Sequence, residues 1–151
     1  MPDFWLTLAA VAHAEGEVNE ERQANAEAKR SALLALGPRP DDPGLLGQLA
    51  IAEAALGQNE EALRHARHAA EMLSPSVDAV GGAVCEMQLV AALAMTEDRD
   101  ATFEELSKLV KLPFGLNHGD LKLNPIWDDL RDDPRFDRIL AESALPLATS
   151  R

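Results

Sequence analysis

The residues able to do chemistry fall into a few small groups. His65 and His68 stand one helical turn apart, and Glu61 lies four residues before His65. That spacing can set three metal ligands on one helix face. With Ala62, Ala66 and Ala69 turned inward, however, both histidines should point largely outward, and a closed site would need a fourth ligand from elsewhere. His118 and Asp120, in GLNHGDLKL, have the types of an acid/base pair. No Ser or Cys nucleophile motif accompanies them. Asn117 is instead placed to cap a short helix, with Asp120 in its first turn. The stretch NPIWDDLRDDPRFDRIL, residues 124–140, holds five aspartates and three arginines. A calcium loop needs alternating oxygen ligands, a Gly at the sharp turn and a terminal bidentate Glu, and that pattern is absent. Asn124-Pro125 and Asp133-Pro134 read better as two N-cap and N1 pairs opening short helices. Trp127, Leu130, Phe136, Ile139 and Leu140 would then be the apolar side of a lid.

Cys85 lies among apolar residues and is followed by Glu86, not by the basic neighbours of a reactive thiol. Gly81–Gly82 lacks the Lys-Ser/Thr partner of a phosphate loop. The reading assigns no catalytic residue, no cofactor and no metal ligand. The competing reading, a small metal-dependent enzyme, would use His65, His68 or His118.

The elements that hold these residues are helical by composition. Ala and Leu dominate, with four Phe, two Trp and no Tyr in 151 residues. That mix favours helix over sheet. The net charge is -12, and each of the stretches 1–36, 37–75, 76–124 and 125–151 is net negative. An evenly anionic surface argues against nucleic acid and anionic membrane, and permits cationic partners. No apolar run approaches the ~20 residues of a membrane span. One cysteine fits a reducing compartment, so a cytoplasmic location is expected. The opening MPDFWLTLAAVAHAEGE lacks a basic n-region and is expected to be a helix of the mature domain.

The same grammar recurs along the chain. Trp5, Leu8, Ala9 and Ala12 share a helix face, Gly16 interrupts, and a second helix runs from about Glu20 to Ala35, ended by LGPRPDDPG. Leu46, Leu49, Ala50 and Glu53 form the next stripe. Gly57 breaks it, and Glu60–Leu73 is the partner helix. Val80, Val84, Met87, Ala91 and Ala94 form a third stripe, with Cys85, Leu89 and Ala92 beside it. TEDRD is its turn and Ala101–Leu112 its partner. Gly16 to Gly57 is 41 residues and Ala62 to Ala101 is 39. A period near 40 with two helices per unit predicts an α-solenoid.

The second unit, LLGQLAIAEAALGQNEEALRHARHAAEMLSP, resembles a tetratricopeptide repeat through Leu46, Leu49, Ala50, Gly57, Ala62, Ala69 and Pro75. Glu53 and Ala66 stand where that family has large side chains. The first unit matches at Trp5, Leu8, Ala9, Gly16 and Ala28, the third at Ala101 and Pro113. HEAT-like or irregular helical pairs also fit the period. Residues 100–142 resemble the C-terminal end of bacterial tetratricopeptide arrays attached to transcriptional activators, cyclase-like proteins and kinases. Pro125, Trp127, Asp128, Leu130, Arg131, Asp133, Pro134, Arg135 and Phe136 carry that likeness. The resemblance implies a scaffold or regulatory role and no catalytic residue.

The expected fold is therefore all-α. It is a right-handed α-solenoid of about three tetratricopeptide-like hairpins (2–36, 43–75 and 77–113), a C-terminal cap over 114–143 and a flexible tail over 144–151. Its expected function is non-catalytic protein–protein interaction, with a protein or peptide partner or a second copy as a homodimer. The first helix of each pair should line a concave groove through Leu6, Ala10 and His13, then Gly47, Ile51 and Ala54, then Glu86, Val90 and Leu93. This lining is small and apolar, unlike the Lys/Asn set that clamps a C-terminal carboxylate, and suits an amphipathic helix or extended peptide.

Overall fold

The computed structural model describes residues 1–96 and 98–145. Glu97, in the expected TEDRD turn, and residues 146–151 of the expected flexible tail lie outside the described residues. Among the described residues all regular structure is helical: α1 (Pro2–Glu15), α2 (Val18–Leu36), α3 (Pro43–Ala55), α4 (Asn59–Met72), α5 (Ala79–Ala94), α6 (Arg99–Leu109), α7 (His118–Leu123), a 3-10 turn (Pro125–Leu130) and α8 (Pro134–Ser143). None of these helices is long and apolar enough to cross a membrane.

Local chemistry sets the boundaries. Gly16 at φ 75° and Gly57 at φ 77° turn the chain between α1 and α2 and between α3 and α4. A residue with a Cβ is strained in that left-handed region. Several of the chain's acids and amides are caps. Asp42 Oδ1 accepts from the Leu45 N–H at 3.0 Å, and Asp98 Oδ1 from the Ala101 N–H at 3.0 Å. Asp78 Oδ1 accepts from the N–H groups of Val80 and Gly81, each at 3.0 Å. Each such cap contributes about 1 kcal/mol.

Consecutive helices pack as pairs, α1 on α2, α3 on α4 and α5 on α6. The pairs join through α2 on α3 and α4 on α5, and the first helices also meet, α1 with α3 and α3 with α5. Two apolar clusters hold them. The first lies among α2, α3, α4 and α5 and is rich in fully buried alanines, including Ala32, Ala50, Ala62, Ala66 and Ala69, with Leu49, Cys85 and Leu93. Small side chains let these helix axes approach closely. The second joins Val90 of α5 and Phe103, Leu106 and Leu109 of α6 to Leu121, Trp127, Leu130, Phe136 and Ile139. A buried methyl contributes about 0.8 kcal/mol and a buried Leu or Phe about 1.5–3. Residue for residue the second cluster is therefore the stronger anchor, and it fixes the C-terminal segment to α5 and α6.

The rotation of α5 differs from the sequence expectation. Cys85, Leu89, Ala92 and Leu93 face the first cluster, whereas Val80 and Val84 are 55% and 39% exposed. The helix is apolar on nearly every side, so periodicity leaves its facing unspecified and packing decides it.

Candidate functional site

The first helices border a solvent-open cavity of about 430 Å³. Leu6, Ala10 and His13 of α1 and Ile51 and Ala54 of α3 line it, joined by Ala94 and Met95 at the end of α5. The 3-10 turn reaches across to α1 and closes one side with Pro125, Ile126, Asp128 and Asp129. Glu21 and Asn25 of α2, with Ala9, Ala55 and Asn124, complete the lining. His13 Nδ1 lies 3.1 Å from Glu21 Oε1, and Asn25 Nδ2 donates to the Glu21 carbonyl at 3.0 Å. The surface is an apolar floor with an acidic edge, and among the described residues no Lys or Arg lines it.

Four of the residues expected to line this groove do not. Gly47 is buried beneath Gln88, whose Nε2 donates to the Gly44 carbonyl at 3.4 Å. Val90 is fully buried in the second cluster. Glu86 and Leu93 border a separate depression among α4, α5 and α6, with Arg67, Glu71 and Glu105. Burial pushes the Glu86 carboxyl up, and the Glu105 charge adds to that. The cause is the rotation of α5, which turns its 86–93 stripe away from the groove. Glu21, Asn25, Asn124 and the two acids of the 3-10 turn were not expected at the groove, and no local periodicity could place them there.

The 124–140 stretch is held by its own charges. Asn124 Oδ1 accepts from the Ile126 N–H at 3.2 Å, and Asp133 Oδ1 from the Arg135 N–H at 2.9 Å, so both residues cap the elements they precede. Arg131 donates from Nη1 to the Leu121 carbonyl at 3.1 Å and from Nη2 to the Asn124 carbonyl at 3.2 Å. It thereby adds a partner to the Leu121 carbonyl at the end of α7 and a second one to the Asn124 carbonyl, which also accepts from the Trp127 N–H. Arg99 Nη2 donates to the Asp129 carbonyl at 2.6 Å, tying the turn to α6. Arg135 forks onto Asp133 at 3.0 and 2.8 Å, and its guanidinium carbon lies 4.3 Å from the centre of the Phe103 ring. Forked charge-assisted pairs and cation–π contacts are stronger than ordinary surface ion pairs.

The Arg135 hydrogen bonds hold the Asp133 carboxyl down to about 2, from an ordinary 3.8. A depressed carboxylate stabilises the fold above its unfolded-state pKa, and that contribution fades as the pH falls through the folded value. Acid titration should therefore show a loss of stability between pH 3.8 and about 2 that Asp133→Asn lacks. Denaturation midpoints at stepped pH measure this. Parallel profiles for the two proteins would contradict it.

His118 and His65 make contacts between helices. His118 Nδ1 donates to the Leu140 carbonyl at 3.0 Å and lies 3.2 Å from Ser143 Oγ, pinning α7 to α8. Asp120 goes elsewhere. Its Oδ2 accepts from Trp127 Nε1 at 3.2 Å, its Oδ1 from Asn124 Nδ2 at 3.3 Å, and Asn117 Oδ1 caps its backbone N–H at 3.0 Å. His68 is exposed, but His65 is not outward as expected. It is 18% exposed, with Nδ1 2.7 Å from Oε2 of the buried Glu53. Lys29 Nζ lies 3.3 Å from the other oxygen. Glu53 sits on the buried stripe of α3, and a carboxylate there needs partners from α2 and α4. Among the described residues, no group of three or more His, Cys, Asp or Glu side chains is arranged to hold a metal ion. Cys85 is buried, and that burial, with the Glu86 charge beside it, pushes its thiol up.

No protein-family model, curated protein or solved structure matches the chain. Functional inference rests on the groove itself.

Proposed function

We infer that the chain is a tetratricopeptide-type α-solenoid that acts as a non-catalytic protein–protein interaction module, a scaffold or regulatory part of a bacterial cytoplasmic signalling protein. Paired helices, glycine turns at matching points of the first two pairs and contact between successive first helices support the repeat reading. The likeness of 124–136 to the ends of bacterial arrays supports the regulatory context. One observation carries the functional reading: first-helix residues of two successive pairs, Leu6, Ala10, Ile51 and Ala54, meet in a single solvent-open apolar cavity. A concave, mostly apolar surface of this kind supports a recognition role.

Ala10 is exposed on the groove wall, so Ala10→Arg should alter the groove while shifting stability by no more than about 0.5 kcal/mol. Affinity capture from cells with quantitative mass spectrometry should then show a partner that binds the unaltered chain and Glu60→Arg, on the exposed face of α4, but not Ala10→Arg. Partners common to all three, or to none, would contradict the reading.

Self-association is the second reading. It is favoured by the exposed stripe Phe4, Leu8 and Val11 on α1. Sedimentation that stays monomeric as concentration rises would count against it.

A further inference from the structure

We propose that the groove receives a basic amphipathic peptide segment, with an aliphatic or aromatic side chain on the apolar floor and Lys or Arg side chains on the acidic edge. This rests on the interaction reading above and specifies the partner's chemistry.

Charge complementarity argues for the occupant. Leu6, Ile51 and Ile126 supply an apolar floor, while Glu21, Asp128 and Asp129 supply carboxylates around it. Among the described residues no Lys or Arg lines the cavity, and the one imidazole there, His13, is already against Glu21. Asp128 accepts from Arg131 Nε at 2.7 Å, and the Asp129 backbone is held by Arg99. The turn is therefore braced, which lowers the cost of ordering it on binding, and Arg131 offsets part of the Asp128 charge, so Asp129 is the main carboxylate of that edge. The acids come from α2 and from the 3-10 turn and do not converge as a metal-type cluster. A compact cation would find no ligand set, whereas a peptide crossing the apolar floor can reach both edges. The cavity of about 430 Å³ is of the size that takes a bulky side chain. The net charge of -12 steers a cationic segment towards the chain and repels an acidic one.

The test is selection of a random dodecapeptide library on the intact chain, with counter-selection on the Ala10→Arg variant. The enriched peptides should be net positive and carry at least one aliphatic or aromatic residue. A selected peptide should lose about fivefold in affinity on the double variant Glu21→Gln, Asp129→Asn, the level of two exposed charge pairs. Its affinity should also fall as salt rises. Both substitutions keep side-chain size, and a circular dichroism melt shows whether the variant is folded. Groove-dependent peptides that are neutral or acidic overturn the cationic proposal and leave the interaction reading standing. Equal affinity for the folded double variant and the unaltered chain also overturns it. So does a selection that yields no groove-dependent peptide; the interaction reading is then judged by the capture experiment.

Discussion

Trp127→Ala should cost about 3–5 kcal/mol of stability, the range of buried aromatic truncations. Trp127 is 2% exposed and packs with Phe103, Leu106, Leu121 and Phe136 where α6, α7 and α8 meet. Its removal leaves a cavity bounded by braced elements. Arg131 ties the end of α7 to the turn, and Arg99 ties the turn to α6, so the site has little freedom to collapse. The indole also donates to Asp120 Oδ2 at 3.2 Å. Trp127→Phe keeps most of the bulk and loses the N–H, and should cost nearer 1 kcal/mol for the hydrogen bond, plus a small packing loss. Urea denaturation followed by circular dichroism measures both. A loss below about 1 kcal/mol for the alanine variant, the level of surface substitutions, would mean that residues 124–140 are not a lid on α5 and α6.

Gly82→Ala should destabilise by about 2–3 kcal/mol although alanine is the better helix former. A Cβ at Gly82 would lie 2.3 Å from the backbone C of Ser74 and 2.3 Å from the backbone N of Pro75. Neither atom can swing aside, so α5 would have to move off the α4–α5 connection. That helix carries Cys85, Leu89 and Leu93 into the first cluster and Val90 into the second, so its movement loosens both. The helix-propensity gain of about 1 kcal/mol offsets only part of this. Gly81 is the internal control. A Cβ there meets side chains and no backbone: Asp78 Oδ2 and Leu73 Cδ2 at 2.9 Å and Asp78 Cγ at 3.2 Å. Leu73 can rotate, and disturbing the Asp78 cap costs about 1 kcal/mol, close to the helix-propensity gain, so Gly81→Ala should be near neutral. Thermal melts of the two variants decide the matter, and equal midpoints would contradict the close approach.

The elements were legible where residue chemistry is local. Gly16, Gly57, Pro43, Pro125 and Pro134 mark turns and starts, because only backbone conformation is at stake there. The capping roles of Asn117, Asn124 and Asp133 followed from residue type for the same reason. Glu53 was half legible. Its place on the Leu46–Leu49–Ala50 stripe was read, but its burial and its partners Lys29 and His65, which arrive from other helices, were not. The facing of α5 was not legible, since a helix apolar all round offers no contrast to orient it. The groove residues Leu6, Ala10, His13, Ile51 and Ala54 could be named from repeat spacing, but Gly47 of α3 could not be excluded that way, because Gln88 covers it from α5. The acids at the groove's edge could not be named, because the arrival of the 3-10 turn beside α1 is a tertiary event. The contact beneath Gly82 is tertiary in the same way.

Photo-crosslinking tests the interaction reading most directly. A benzophenone amino acid at position 10 faces the groove, and the same group at position 60 lies on the exposed start of α4. The account predicts a discrete crosslinked partner from position 10 in cells and none of that species from position 60. No adduct from position 10, or the same adducts from both positions, would contradict it.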